Sequence, residues 1–327
     1  MSTGRSILRW VGAGTAGVLM VCAAPGAALV YATANVPTAY GFDTKAQNVT
    51  GSSTMGGAPQ LAEGAAYRSA LAGGDPVYFR IDLDARRTAY ASVVAVPEVG
   101  GELTAMHSLQ VSLVDAEGTS CDRQSQGFTD GFAQPLALTA VRTNAADAGP
   151  AEAKRQQAGT YYVAVSRSNR SAGDAPWQLD LRVDTEAPLK RKGAASPPAA
   201  APSAQPTGAP TNTEGGGGFA VAAPLRTGAA ISEIRPGQSQ FFRVPIGWGQ
   251  RLKASVEIAA SRKGPYVASA VSVSVYNPAR MHADTAWSGY RGEGATIDLD
   301  ELPAVAYDNR TAEQHNRRPC GVPAGTT

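Results

Sequence analysis

The chain has 327 residues, 43% hydrophobic, 17% charged and 7% aromatic, with 36 Gly and 22 Pro. That length holds about two domains of roughly 100–200 residues each, and so little charge beside so much Gly, Pro and Ala excludes a coiled coil or a charged helical bundle. Twenty-nine Lys and Arg against 27 Asp and Glu leave a net +2, without the basic excess of a nucleic-acid-binding chain, and three His are scant material for acid–base or metal chemistry.

Arg5 and Arg9 precede an uncharged stretch over 10–42, most apolar over 11–24. A basic start, a short apolar run and the small-residue site Ala32-Thr33-Ala34 read as a secretory signal peptide over 1–34. Cleavage after Ala28 is the alternative site. An uncleaved anchor is the alternative role, because 10–34 is long enough to cross a bilayer of about 30 Å. On either reading the remainder is exported, to the extracellular space or the outer face of the cell membrane. Residues 35–60 then form an N-terminal extension. Loss of 1–34 would leave Cys121 and Cys320, either bridged across the two halves or unpaired.

The most informative feature is an internal repeat. Residues 77–96 and 240–259 align without a gap at an offset of 163, with identities Phe79/Phe242, Arg80/Arg243, Ala91/Ala254, Ser92/Ser255 and Val93/Val256. Upstream, Gly64-Ala65-Ala66 matches Gly228-Ala229-Ala230 and Gly73 matches Gly237; downstream, 109–113 matches 271–275. Two copies of one domain are expected, over 61–187 and 219–327. Between them, 188–218 is rich in Pro and Ala and ends in Gly215 to Gly218, which reads as a disordered spacer followed by a flexible hinge. In copy one, Ala158-Gly159-Thr160 leads into two strand signals, 161–165 and 177–183. In copy two the matching Ala324-Gly325-Thr326 is followed only by Thr327, so the second copy is expected to be truncated, lacking its own two closing strands, or to use a different closing element.

The repeated segments carry the period of strands. Tyr78, Arg80, Asp82 and Asp84 alternate with Phe79, Ile81 and Leu83, and Val271, Val273 and Val275 alternate with Ser272 and Ser274. Asp115-Ala116-Glu117-Gly118 and Arg235-Pro236-Gly237 supply turn chemistry. No window of helical length keeps an apolar stripe. The expected fold is all-β: two tandem antiparallel jelly-roll-like β-sandwiches on a Pro/Gly-rich linker, the second incomplete.

In order, Gly73, the strand 77–81, the strand from Ala91, the hairpin through Asp115 and Gly118, and the closing Gly159-Thr160-Tyr161-Tyr162-Val163 resemble the bacterial pre-peptidase C-terminal domain. The resemblance covers about 61–184 and, incompletely, 225–327. It implies a jelly-roll sandwich of the kind attached to secreted enzymes, binding surfaces or assisting secretion rather than catalysing. The Ala/Gly/Arg bias is similar to that of exported actinobacterial proteins. A long insertion between Cys121 and Ala158, and the lack of an adjoining peptidase, depart from the family pattern.

No G-x-S-x-G elbow occurs, and His107, His282 and His315 have no counterpart in the other copy, so no catalytic residues, cofactor or metal are assigned. Asp82 and Asp84, or Asp298, Asp300 and Glu301, could in principle ligate calcium, but the first pair is the exposed half of a strand and copy two has Pro245 and Gly247 there. Possible surface contacts are Arg80 and Arg243, shared between the copies, and the aromatics Trp248, Trp287 and Tyr290; Trp177 is expected in the core of copy one. A structural ion pair, or a stem lying over aromatic neighbours, is the alternative role for the two arginines. The expected function is that of a non-catalytic exported cell-surface binding or scaffolding protein, whose partner is a protein or glycan and not nucleic acid. A membrane tether would come from the N-terminal segment or from a C-terminal tail. The alternative is the accessory region of a larger secreted enzyme.

Overall fold

The computed structural model describes residues 4–11, 16–23, 39–98, 103, 106–128, 133–144, 156–168, 175–188 and 208–306, the first two segments as backbone only. Its order along the chain is β1 (Gly4–Val11), β2 (Ala16–Ala23), β3 (Gln47–Asn48), β4 (Ala66–Leu71), β5 (Val77–Leu83), β6 (Thr88–Val96), β7 (Ser108–Asp115), β8 (Ser120–Gly127), β9 (Leu136–Arg142), β10 (Gly159–Arg167) and β11 (Trp177–Glu186). There follow β12 (Thr211–Asn212), β13 (Ala223–Pro224), β14 (Gly228–Ile234), β15 (Ser239–Pro245), β16 (Lys253–Ile258), β17 (Val267–Tyr276), β18 (His282–Tyr290) and β19 (Ala295–Asp298). Among the described residues, helix is limited to short 3-10 turns at Met55–Gly57 and Phe219–Val221, and no helix is long and apolar enough to cross a membrane. Packing groups the described residues of 42–192, with 279–281, into one unit and those of 1–41, 193–278 and 282–327 into another.

The first unit is a sandwich of two sheets, ordered β3-β4-β11-β6-β9 and β5-β10-β7-β8. Alternation places the residues: on β5, Phe79, Ile81 and Leu83 are buried while Arg80 and Asp82 are exposed. From the facing sheet Tyr67, Leu71, Val93, Leu179 and Leu181 meet them, and Trp177 lies in the same core, edge-on to Phe128 at 5.1 Å between centroids. At the β7–β8 hairpin the Gly118 amide donates to Asp115 O at 3.0 Å, and the turn needs a residue at φ 83°, which Gly supplies without a Cβ penalty.

The second unit repeats this plan, with sheets β12-β14-β1-β16-β19 and β13-β15-β2-β17-β18. Its core is built from Phe242, Val244, Val256, Ile258, Val271, Val273, Val275 and Ile297. The expected turn at Arg235 forms, with the Gln238 amide donating to Arg235 O at 3.0 Å and Gly237 at φ 77°. Strand by strand, β4, β5, β6, β7, β8 and β9 correspond to β14, β15, β16, β17, β18 and β19. The chain over 208–306 supplies no counterpart of β10 and β11. Those two places, between β15 and β17 and between β14 and β16, are taken by β2 and β1.

The repeat also runs further upstream than the sequence reading placed it. β3 pairs in parallel with β4, and β12 in parallel with β14. The Leu61 amide donates to Arg80 O and the Leu225 amide to Arg243 O, both at 2.8 Å. Residues 42–60 are thus built into the first sandwich rather than being an appendage, while Tyr40 packs on Phe241 in the second unit. Gly215 to Gly218 are likewise not a hinge. A Cβ on Gly215 would come within 2.6 Å of Gln240 Cβ and 2.8 Å of Phe242 Cζ, and one on Gly216 within 1.9 Å of Val221 O. These glycines serve close packing, as Gly51 does beneath Phe79 and Val77 in the first sandwich. The cleavage site near Ala34, the Pro-rich part of the linker, Cys320 and the Ala324 motif lie outside the described residues.

Candidate functional site: an aromatic face at the edge of the second sandwich

β18 is the edge strand of its sheet and pairs with β17 so that Ser272 lies opposite Trp287 and Ser274 opposite Thr285. Because Val271, Val273 and Val275 point into the core, Ser272 and Ser274 face outward, and with them Thr285 and Trp287. Trp287 is 65% exposed. Two residues on, Gly289 has no side chain, and the ring of Tyr266 occupies the place one would take: a Cβ there would lie 2.2 Å from Tyr266 Oη and 2.6 Å from its Cζ. Tyr266 keeps 61% of its surface exposed, and the Arg291 guanidinium sits 5.3 Å from its ring centroid.

Hydroxyls continue the row. Ser274 Oγ and Thr285 Oγ1 are 2.7 Å apart, and His282 Nε2 is 2.7 Å from the same Thr285 oxygen. His282 packs edge-on to Tyr276 at 5.6 Å, the outer member of an aromatic series through Phe219, Phe241 and Tyr40. His282 stays exposed, but the groups crowded around one side of the imidazole desolvate it in part and lower its pKa from the ordinary histidine value, against the opposing charge and hydrogen bond of Asp284. The result is a strip of two exposed rings, one cation and several hydroxyls along one strand edge, with successive outward positions about 7 Å apart.

The five residues singled out in the sequence separate under this geometry. Trp287 is in the strip. Arg243 lies on the same outer face of the same sheet, on β15, but three strand spacings from β18, about 14 Å. Trp248 is 49% exposed but follows β15, at the end of the sheet opposite Tyr266. Tyr290, expected as an exposed ring, instead turns inward: it packs on the second core, its hydroxyl donates to Ala259 O at 2.7 Å and lies 2.9 Å from Ser261 Oγ. One step of alternation from Gly289 accounts for that inversion. Arg80 forms the structural ion pair, with both guanidinium Nη2 contacts to Asp82 at 3.1 and 3.2 Å. Pro245 stands where Asp82 would be for Arg243.

Tyr266 was missed because a lone aromatic after Pro265 carries no periodic signal. Its partner Gly289, a glycine inside a strand pattern, was the available clue to a close approach. The equivalent face of the first sandwich differs in chemistry: Arg123 stands opposite Ser112 and Ser125 opposite Gln110, where the second has Thr285 and Trp287. Of the other candidates, His107 is buried, His315 is outside the described residues, and Glu301 pairs with Arg251 at 3.1 Å. Among the described residues no group of three or more His, Cys, Asp or Glu is placed to hold a metal ion.

No family model and no curated protein matches the chain. Among solved structures it is similar to a CBM4 protein, at 12% identity over 38% of this chain and 74% of that one, with a TM-score of 0.25. It is also similar to the VP2 subviral particle of infectious bursal disease virus, at 13% identity over 57% of this chain and 56% of that one, TM-score 0.24. The T13 particle of the same virus gives 13% identity over 56% and 54%, also at 0.24. The chain therefore spans little more than half the length of the viral proteins.

Proposed function

We propose that the protein is a non-catalytic, exported binding protein whose contact surface is the outer face of β17 and β18, and that the ligand class is a glycan. The observation that carries this reading is the pair of exposed rings, Trp287 and Tyr266, set along one strand edge beside Arg291 and the hydroxyls of Ser272, Ser274 and Thr285. A pyranose presents an apolar C–H face and a rim of hydroxyls. An amphipathic aromatic surface matches the first, and serine, threonine and guanidinium groups match the second. Large exposed aromatics in one patch also mark an interaction site rather than random surface. The export reading rests on the leader-like N-terminus, and the surface-binding role agrees with the resemblance to pre-peptidase C-terminal domains.

The test is depletion binding of the full chain to insoluble cellulose, chitin, xylan and peptidoglycan sacculi. At least one should deplete the protein, and Trp287→Ala and Tyr266→Ala should each weaken that binding by about tenfold, the ~1.4 kcal/mol of one lost ring contact. Ser125→Ala, on the equivalent strand of the first sandwich, should change nothing. Binding that survives loss of both rings would remove this face from the account.

A further inference from the structure

In the first sandwich β10 and β11 follow β9 in the chain and lie at the centre of the two sheets. In the second sandwich the same central places are filled from the N-terminus, in reversed sequence order. β1 is registered on both sides, from Gly4 opposite Ile234 to Trp10 opposite Gly228, and from Ser6 opposite Ile258 to Val11 opposite Lys253. β2 is registered likewise, from Ala16 opposite Pro245 to Cys22 opposite Ser239, and from Val18 opposite Tyr276 to Ala23 opposite Val271. Without these two strands, β14 and β16 would face each other across a gap of about 9–10 Å, and so would β15 and β17. Four strand edges would present unpaired N–H and C=O groups, and the core at Phe242, Val256, Val271 and Val273 would lie open.

We infer that the second sandwich is a strand acceptor and that residues 4–23 of the same chain are its donor, seated by strand addition into both sheets at once. The residues that read as an export leader are thereby the residues that close the fold, so the leader is withdrawn from any export machinery once the second sandwich has folded. Separation of 1–34 from the remainder opens the acceptor, which then takes the two strands back as a separate peptide.

The experiment uses the full chain with a sequence-specific protease site placed within 25–34. After cutting, the N-terminal fragment should stay with the remainder through native gel filtration at the mass of one chain. After its removal in urea and refolding, amide exchange in β14, β15, β16 and β17 should rise by at least about 100-fold, while β5, β7, β10 and β11 keep their protection. Addition of a synthetic 1–24 peptide should restore the lost protection. In the uncut chain, Ile7→Pro and Val21→Pro, each removing an amide from a strand paired on both sides, should reproduce the selective loss. Unchanged protection in β14–β17 without the fragment would overturn the inference, and so would failure of the peptide to restore it. A dimeric mass would assign the donor to a second copy and overturn the placement within one chain.

Discussion

Two kinds of residue decide local structure here for reasons that composition hides. Gly215 and Gly216 stand in a run that looks like a flexible tether, yet a Cβ on either would collide with neighbouring atoms. Gly215→Val and Gly216→Ala should therefore destabilise the second sandwich by about 2–3 kcal/mol, read as a lower urea midpoint with an unchanged slope; a true hinge would tolerate both. The sequence held a clue in the paired spacing Gly51 to Leu61 and Gly215 to Leu225, but four glycines in a row drown it. His282 is the second case. Its folded pKa lies below the unfolded value of roughly 6.5 because neighbours desolvate it, so the folded state prefers it neutral. The stability it contributes is present above the unfolded pKa and is lost as pH falls through the folded one. Its NMR titration midpoint should fall below that of a free histidine. A midpoint at or above the free value would contradict the packing described around Tyr276.

At the level of elements, alternation was a good guide wherever one face is buried and the other wet. β5 and β17 were legible for that reason, and their inward residues are those expected. β8 was not, because Ser120–Gly127 is an edge strand with few apolar residues, paired in its sheet with β7 alone. β9 was missed for the opposite reason: it is buried at every position, so no period shows, and it falls within what looked like an insertion. It ends in Arg142, fully buried, whose guanidinium donates to the carbonyls of Gln156 at 3.2 Å and of Asp84 and lies over Tyr161. An arginine at the end of an apolar strand reads as the point where the strand reaches solvent; here it secures two loops from inside. Arg142→Leu would leave both carbonyls without that donor and should cost the first sandwich about 2–4 kcal/mol, measured by denaturant unfolding. A change within 0.5 kcal/mol would show that the guanidinium has no such role.

Across the whole molecule, the repeat was the strongest signal in the sequence, and the structure extends it to both sheets of both sandwiches. The domain edges were the least legible part. Short parallel pairings such as β3 with β4 and β12 with β14 involve two residues each, too few to leave a pattern, and they draw the described part of the supposed extension, and 211–218 of the supposed linker, into the folds. The occupation of the two central places of the second sandwich by β1 and β2 could not be read from a segment whose composition also suits a leader. The binding face illustrates the same division. The frame that holds it is common to the two copies, but the side chains at corresponding positions are Ser125 and Arg123 in one and Trp287 and Thr285 in the other.

Contact through one edge of the second sandwich can be followed in the indole N–H signals of the full chain during titration with a soluble fragment of whichever polysaccharide depletes it. The Trp287 signal should shift in proportion to occupancy, while that of Trp177, only 3% exposed in the core of the first sandwich, stays where it is. A saturable shift confined to Trp248, or binding that leaves Trp287 unmoved, would place the contact surface elsewhere.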